Sequence, residues 1–220
     1  MGLAKLKVKT ARTYTVGEYL QLDRDGIERY QYLDGEVFLM AGESIRHGDI
    51  SANLTGELRD QLKGIDCRVL SKDTKTKSGG LAANLLQSRK GLFSYPDLVV
   101  ICGEPEFQDD YRDIVLNPRV IIEVLSDSTE MFDRRDKLMR YRLFNPTLTD
   151  YILVSQDKPL VEHYIRQADG DWKMILYFGT EETLNIESIK CGIKLSEIYD
   201  RVKFTTEEQA FIREIKNERI

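Results

Sequence analysis

What is scarce in this chain narrows the choices before any motif is read. Cysteine is scarce: Cys67, Cys102 and Cys191 are the three in 220 residues. They are odd in number, widely spaced, and show neither zinc-ligand spacing nor a disulfide framework. The expectation is therefore free thiols in a reducing cytoplasm. Long apolar runs are missing, and none approaches the roughly 20 residues a membrane helix needs, so no membrane partner is expected. The basic stretch Met1 to Lys9 has no continuous apolar segment behind it and does not read as a secretory signal. A positive charge excess is lacking too. The net charge is −5 and the pI is near 5.3. This counts against a simple nucleic-acid coating protein but leaves room for a nuclease whose cleft is locally basic. No repeat, low-complexity tract or linker divides the chain, and its length suits one sizeable core, so residues 1–220 read as a single domain.

Basic residues do cluster locally: Lys5, Lys7, Lys9 and Arg12; Lys72, Lys75 and Lys77; Arg134, Arg135, Lys137, Arg140 and Arg142. Most such clusters are solvated faces. Element signals are clear in several places. Thr15 precedes a short helix over 16–22, and residues 30–40 read as a hairpin closed by Asp34-Gly35. Ile50, Leu54, Leu58 and Leu62 recur every four residues in a helix over 44–63. Strands are predicted at 67–70, 97–101, 119–125 and 151–155, with a loose strand pair within 72–90. Residues 103–117 read as a surface excursion. A helix over 130–144 starts at Thr129 and stops at Asn145-Pro146. A meander over 161–178 turns at Gly170, a strand pair covers 184–194, and a charged helix runs from about Thr206 to Glu218. This order predicts a mixed sheet flanked by helices.

Two of these strands carry a carboxylate where an apolar residue is the norm. Tyr95-Pro96-Asp97-Leu98-Val99-Val100-Ile101 and Arg119-Val120-Ile121-Ile122-Glu123-Val124-Leu125 are otherwise apolar runs. A buried carboxylate is costly unless compensated, and two of them can share a divalent cation. If the strands are neighbours, Asp97 and Glu123 can hold one Mg²⁺, which keeps waters for a phosphate. The competing reading is that Asp97 caps a turn and Glu123 pairs with an arginine; spacing leaves both open. Lys137 stands on the following helix, four residues after Asp133. Spacing alone favours an exposed ion pair between them, whereas a lysine turned inward could orient a water or neutralise a scissile phosphate.

The ordered set Pro96-Asp97, Ile122-Glu123-Val124-Leu125-Ser126-Asp127-Ser128-Thr129, Asp133-Arg134-Arg135-Asp136-Lys137 and Tyr141 resembles the Uma-type restriction endonucleases of the PD-(D/E)xK nuclease superfamily. Tyr32-Leu33-Asp34-Gly35-Glu36, His47 and Asp150-Tyr151-Ile152-Leu153-Val154 fit the same pattern, and the resemblance covers about residues 13–203. It implies an α/β (α+β) restriction-endonuclease-like core, with a mixed, largely four-stranded sheet, helices on both sides and a C-terminal β meander. It implies Asp97 and Glu123 as metal ligands, with the Val124 backbone carbonyl as a further one and Mg²⁺ (or Mn²⁺ as substitute) as cofactor. The superfamily's usual lysine slot, two residues after the glutamate, holds Leu125, and Lys137 matches the family's helix-borne lysine instead. Glu36, His47 and Gln31 are auxiliary candidates; Gln31 stands where the family often has a glutamate. His163 reads as structural. The implied activity is a cytoplasmic, homodimeric, Mg²⁺-dependent endonuclease acting on DNA. The alternatives are a catalytically inactive nuclease-fold module that binds nucleic acid or partners, and a hydrolase of smaller phosphate esters.

Overall fold

The fold is described from a computed structural model covering residues 12–40, 42–80, 84–127, 129–208, 210 and 214. Helix α1 (Val16–Asp25) starts where Thr15 and Glu18 cap each other: the Thr15 side chain accepts from the Glu18 N–H, and the Glu18 carboxylate accepts from the Thr15 N–H. Strands β1 (Tyr30–Leu33) and β2 (Glu36–Leu39) form the expected hairpin. Asp34 and Gly35 take φ of 45° and 96°, the left-handed pair that a tight hairpin turn requires. Helix α2 (Ile45–Gln61) is capped by Ser44, whose Oγ accepts from the His47 N–H.

Strands β3 (Cys67–Ser71), β4 (Lys75–Ser78), β5 (Leu92–Ser94), β6 (Leu98–Cys102), β7 (Ile114–Val115) and β8 (Val120–Leu125) follow in chain order. Next comes one continuous helix, α3, made of Glu130–Phe132, a π-helical turn Asp133–Lys137, and Leu138–Phe144. Strands β9 (Asp150–Ser155), β10 (Leu160–Arg166) and β11 (Trp172–Phe178) form the meander, and β12 (Thr183–Ile186) pairs with β13 (Cys191–Lys194) ahead of the short helix α4 (Leu195–Ile198).

The strands make a six-stranded sheet, β11-β10-β9-β8-β6-β3, and a five-stranded one, β2-β1-β5-β4-β7. The six-stranded sheet is mixed: β8 and β9 run parallel, while its other pairs are antiparallel. It is wider than the four strands the family resemblance implied, because the meander continues pairing outward from β9. One face packs on α2 through Ile50, Leu54 and Leu58 against Val100, Ile122, Val124 and Ile152. The other face packs on α3, where Phe132, Leu138 and Tyr141 meet Ile121, Leu125, Tyr151 and Leu153. The two faces alternate along β8, so Glu123 shares the α3 side with Ile121 and Leu125.

Two expectations change. The strand pair within 72–90 is not local: β4 pairs instead with β5 and β7, two short strands that periodicity does not reveal. The cysteines are not all free thiols. Cys67 and Cys102 face each other across β3 and β6 and are joined as a disulfide, while Cys191 stays buried and free. Their separation of 35 residues hides a pairing that the strand register creates. The helix from about Thr206 to Glu218 falls largely outside the described residues.

Asp150, at the start of β9, is buried and held by the His163 Nε2 at 2.7 Å, by the Thr149 hydroxyl at 2.7 Å and by the Ser188 hydroxyl. Burial pushes its carboxyl up, but the bonds from His163, Ser188 and Thr149 win and hold it below the ordinary value. A depressed carboxylate stabilises the fold above its unfolded pKa and loses that contribution as pH falls through the folded value. Asp150→Asn is expected to cost about 2–3 kcal/mol at neutral pH. In urea titrations the gap to the wild type should close as pH drops below about 4; a gap that stays constant with pH would count against this account.

Candidate metal centre and its buried lysine

The register that pairs Leu98 with Ile122 brings the start of β6 beside the end of β8. Asp97 sits just ahead of β6, and its Oδ2 accepts the Val124 N–H at 2.7 Å. Its Oδ1 lies 2.9 Å from the His47 Nε2 on α2. Glu43, one residue before the cap of α2, places its Oε2 3.6 Å from the same ring nitrogen, and its Oε1 pairs with Lys72 at 2.6 Å. Among the described residues, Glu43, His47 and Asp97 form a group whose ligand atoms all lie within 4.8 Å of one another. The separations from the His47 ring nitrogen, 2.9 Å to Asp97 and 3.6 Å to Glu43, suit donors sharing one ion at bonds of about 2.0–2.2 Å.

Glu123 lies outside this group. It is buried on the α3 side, and its Oε1 accepts from the Lys137 Nζ at 3.0 Å. Lys137 is buried as well and also pairs with Asp133 Oδ1 at 2.8 Å. The exposed ion pair that spacing favours is thus an inward one. The π turn carries both residues toward the sheet, and the Tyr151 hydroxyl pins that turn by donating to the Asp133 carbonyl at 3.0 Å. Tyr141, one turn on, has its hydroxyl within 2.7 Å of Thr76 Oγ1 and 2.6 Å of Ser94 Oγ, tying α3 to β4 and β5.

Glu43, Asp97, Glu123 and Asp133 face two lysines, Lys72 and Lys137, and one imidazole. Burial holds the Glu123 carboxyl well above the carboxylate range; Lys137 opposes this, and Asp133 and Asp97 add to it. Burial alone would lower the Lys137 ammonium, but Asp133 and Glu123 raise it above its ordinary value. His47 follows the same logic: burial lowers it, Asp97 and Glu43 outweigh that, and the net shift is upward. Glu43, His47 and Asp97 offer two carboxylates and one imidazole whose ligand atoms converge, so the donor set fits a divalent cation.

The other sequence candidates are placed as follows. Val124 enters through its N–H, which orients Asp97. Glu36 is exposed at the start of β2, and Gln31 is buried on β1 with its Oε1 unpartnered. His163 is fully buried against Asp150 in the meander. Sequence reading missed Glu43, although its spacing of four from His47 around the Ser44 cap was a usable signal. Lys5, Lys7 and Lys9 lie outside the described residues, and among the described residues the basic clusters are largely neutralised. Lys75 is buried on Asp23, Arg134 pairs with Glu130 and Glu162, and Arg140 pairs with Asp34. A pocket of about 220 Å³ opens at the carboxyl ends of β8 and β9, lined in part by Leu125, Glu130, Asp157, Lys158 and Glu208.

The family model of Uma2, described as "Putative restriction endonuclease", matches residues 16–197. The chain belongs to the Uma2 family. Two uncharacterized proteins of Synechocystis sp. are similar to it. One, slr1290, is 31% identical over 187 residues, covering 85% of this chain and 92% of its own. The other, sll1609, is 30% identical over 183 residues, covering 83% and 98%. The fold is similar to the crystal structure of "a putative nuclease belonging to DUF820" from Anabaena variabilis. The TM-score is 0.67 at 14% identity, over 86% of this chain and 99% of that one. In this Uma2 chain Asp97 stands just ahead of β6 and Glu123 lies on the adjacent strand β8.

Removing the Lys137 amine strands two buried acids. Lys137→Ala is expected to lower the unfolding free energy by about 3–5 kcal/mol. Denaturant titration checks this, and a loss under about 1 kcal/mol would fit a solvent-screened pair instead.

Proposed function

We propose that this Uma2 protein is a metal-dependent endonuclease that hydrolyses DNA phosphodiester bonds. The observation that carries the reading is the convergence of Asp97, His47 and Glu43 beside the Glu123–Lys137–Asp133 triad. Asp97, His47 and Glu43 would hold a divalent cation, with Glu123 and the Val124 carbonyl as further candidates. When bound, such an ion supplies Lewis-acid polarisation of a phosphoryl oxygen and lowers the pKa of a coordinated water.

The chain's own groups have separable tasks. The Val124 N–H fixes the Asp97 carboxylate, so its second oxygen stays turned toward His47. Asp133 and Glu123 fix the Lys137 ammonium, which is the charge available to a phosphate or to an attacking water. Lys72 neutralises Glu43 from the outer side and offers a cation at the entrance. The acidic lining of the neighbouring pocket would repel a phosphate, so substrate affinity depends on the bound cation. The family description supports a nuclease, and the similar Anabaena protein is described as "a putative nuclease". Cutting both strands of a duplex calls for two active sites, so a homodimer belongs to this reading.

A second reading is a nuclease-fold module without cleavage. It is favoured by Lys137 being fully engaged by two carboxylates, and by Leu125 standing in the superfamily's usual lysine slot. The two readings part in one experiment. Purified protein with Mg²⁺ or Mn²⁺ should nick and linearise plasmid DNA, and Asp97→Asn and Glu123→Ala should each lower the rate by about 10²-fold or more. Equal cleavage by the variants would point to a contaminant or another site. Salt-sensitive DNA binding without cleavage would select the second reading.

A further inference from the structure

We infer that the centre formed by Glu43, His47 and Asp97 is selective for a first-row transition ion over Mg²⁺, with His47 as a direct nitrogen ligand. The inference rests on the reading of this cluster as a metal centre. It goes further in naming the class of ion, and it departs from the all-oxygen Mg²⁺ site that Asp97 and Glu123 suggest from sequence.

The argument lies in the donors and in how each is held. The Asp97 Oδ2 is committed to the Val124 N–H, which leaves Oδ1 facing the ring nitrogen at 2.9 Å. The Glu43 Oε1 is committed to Lys72, which leaves Oε2 facing the same nitrogen at 3.6 Å. Each carboxylate therefore has one oxygen oriented by the protein and one turned inward. Such outer contacts are the devices that aim metal ligands. The imidazole at their centre is held by the first turn of α2, where Ser44 Oγ accepts the His47 N–H and the ring is nearly buried. Glu123 lies outside this cluster, with its Oε1 taken by the Lys137 ammonium. The donors that converge are two oxygens and one imidazole nitrogen. Mg²⁺ is a hard ion that favours oxygen and gives up its waters reluctantly. Imidazole adds affinity for first-row transition ions, in the order that runs upward from Mn²⁺.

Mn²⁺ is the useful probe because it is paramagnetic and sits at the weak end of that order. Wild-type protein is titrated with Mn²⁺ and examined by pulsed electron paramagnetic resonance, with and without ¹⁵N-histidine labelling. A ¹⁴N modulation that changes on labelling is expected. The chain has two histidines, and the other, His163, is fully buried against Asp150. Mg²⁺ should need about a tenfold or larger excess to release half of the bound Mn²⁺. His47→Asp, which makes an all-carboxylate set, should lose the nitrogen signal and narrow that preference. Bound Mn²⁺ without histidine nitrogen coupling, release by equimolar Mg²⁺, or no Mn²⁺ binding would each overturn the inference, and the labelling arm needs no variant to fold. The plasmid assay separates this outcome from the nuclease reading. Cleavage with Mg²⁺ and Mn²⁺ competing equally would sink the inference alone. Nitrogen-ligated Mn²⁺ without cleavage would sink the nuclease reading alone.

Discussion

The Asp97 carboxylate ties together three elements that the chain delivers from distant places. One oxygen takes the Val124 N–H at the end of β8, and the other meets the His47 ring on α2. Pro96 and Asp97 stand ahead of β6, so the strand's own ladder is not interrupted by the proline. The side chain serves as acceptor to the neighbouring strand just where that ladder ends. Without this bond the end of β8 would have an unpaired N–H beside an apolar core, and Asp97 would lose its orientation toward α2. The packing on both faces of the sheet therefore serves one end of its central strands, where helix α2 and helix α3 bring their polar residues from opposite sides.

A second constraint acts on the α3 side. Glu123 occupies a position whose neighbours on the same face, Ile121 and Leu125, are core residues. Burying a carboxylate there requires a cation, and the cation is Lys137, itself held by Asp133. The π turn gives this arrangement its geometry, and the Tyr151 and Tyr141 hydroxyl bonds lock the helix to both sheets. The result is a cluster of acidic and basic side chains at the ends of β6 and β8. Within it Glu43, His47 and Asp97 turn donor atoms toward one another, which is a structural reason for the site to take up a divalent ion.

Much of this was legible in the chain. The period of four in Ile50, Leu54 and Leu58 announced α2, the Asp34-Gly35 pair announced the first hairpin, and the apolar runs flagged β6, β8 and β9 by carrying too little polarity to be surface strands. The family likeness drew Lys137 inward where spacing alone favoured solvent, and the structure has it buried. Other features could not be read in this way. Strands β5 and β7 are too short for a period to show, and the meander joins the central strands through the parallel β8–β9 pairing, which no local pattern encodes. The Cys67–Cys102 link exists because β3 and β6 are adjacent and in register, and nothing in a 35-residue separation encodes that.

What the sequence determined by itself was the inventory: two carboxylates in apolar strands, a lysine and an aspartate four apart on a helix, and a histidine just inside a capped helix. Local chemistry fixes these, because propensity, capping and alternation act over a few residues. What only the tertiary structure decided was the partnership. It gave Asp97 to His47 and Val124, gave Glu123 to Lys137, and added Glu43 from the residue ahead of the cap. Such choices follow from strand order and from which helix covers which face. They set which oxygens are already satisfied and which remain for an ion, and burial turns that difference into free energy.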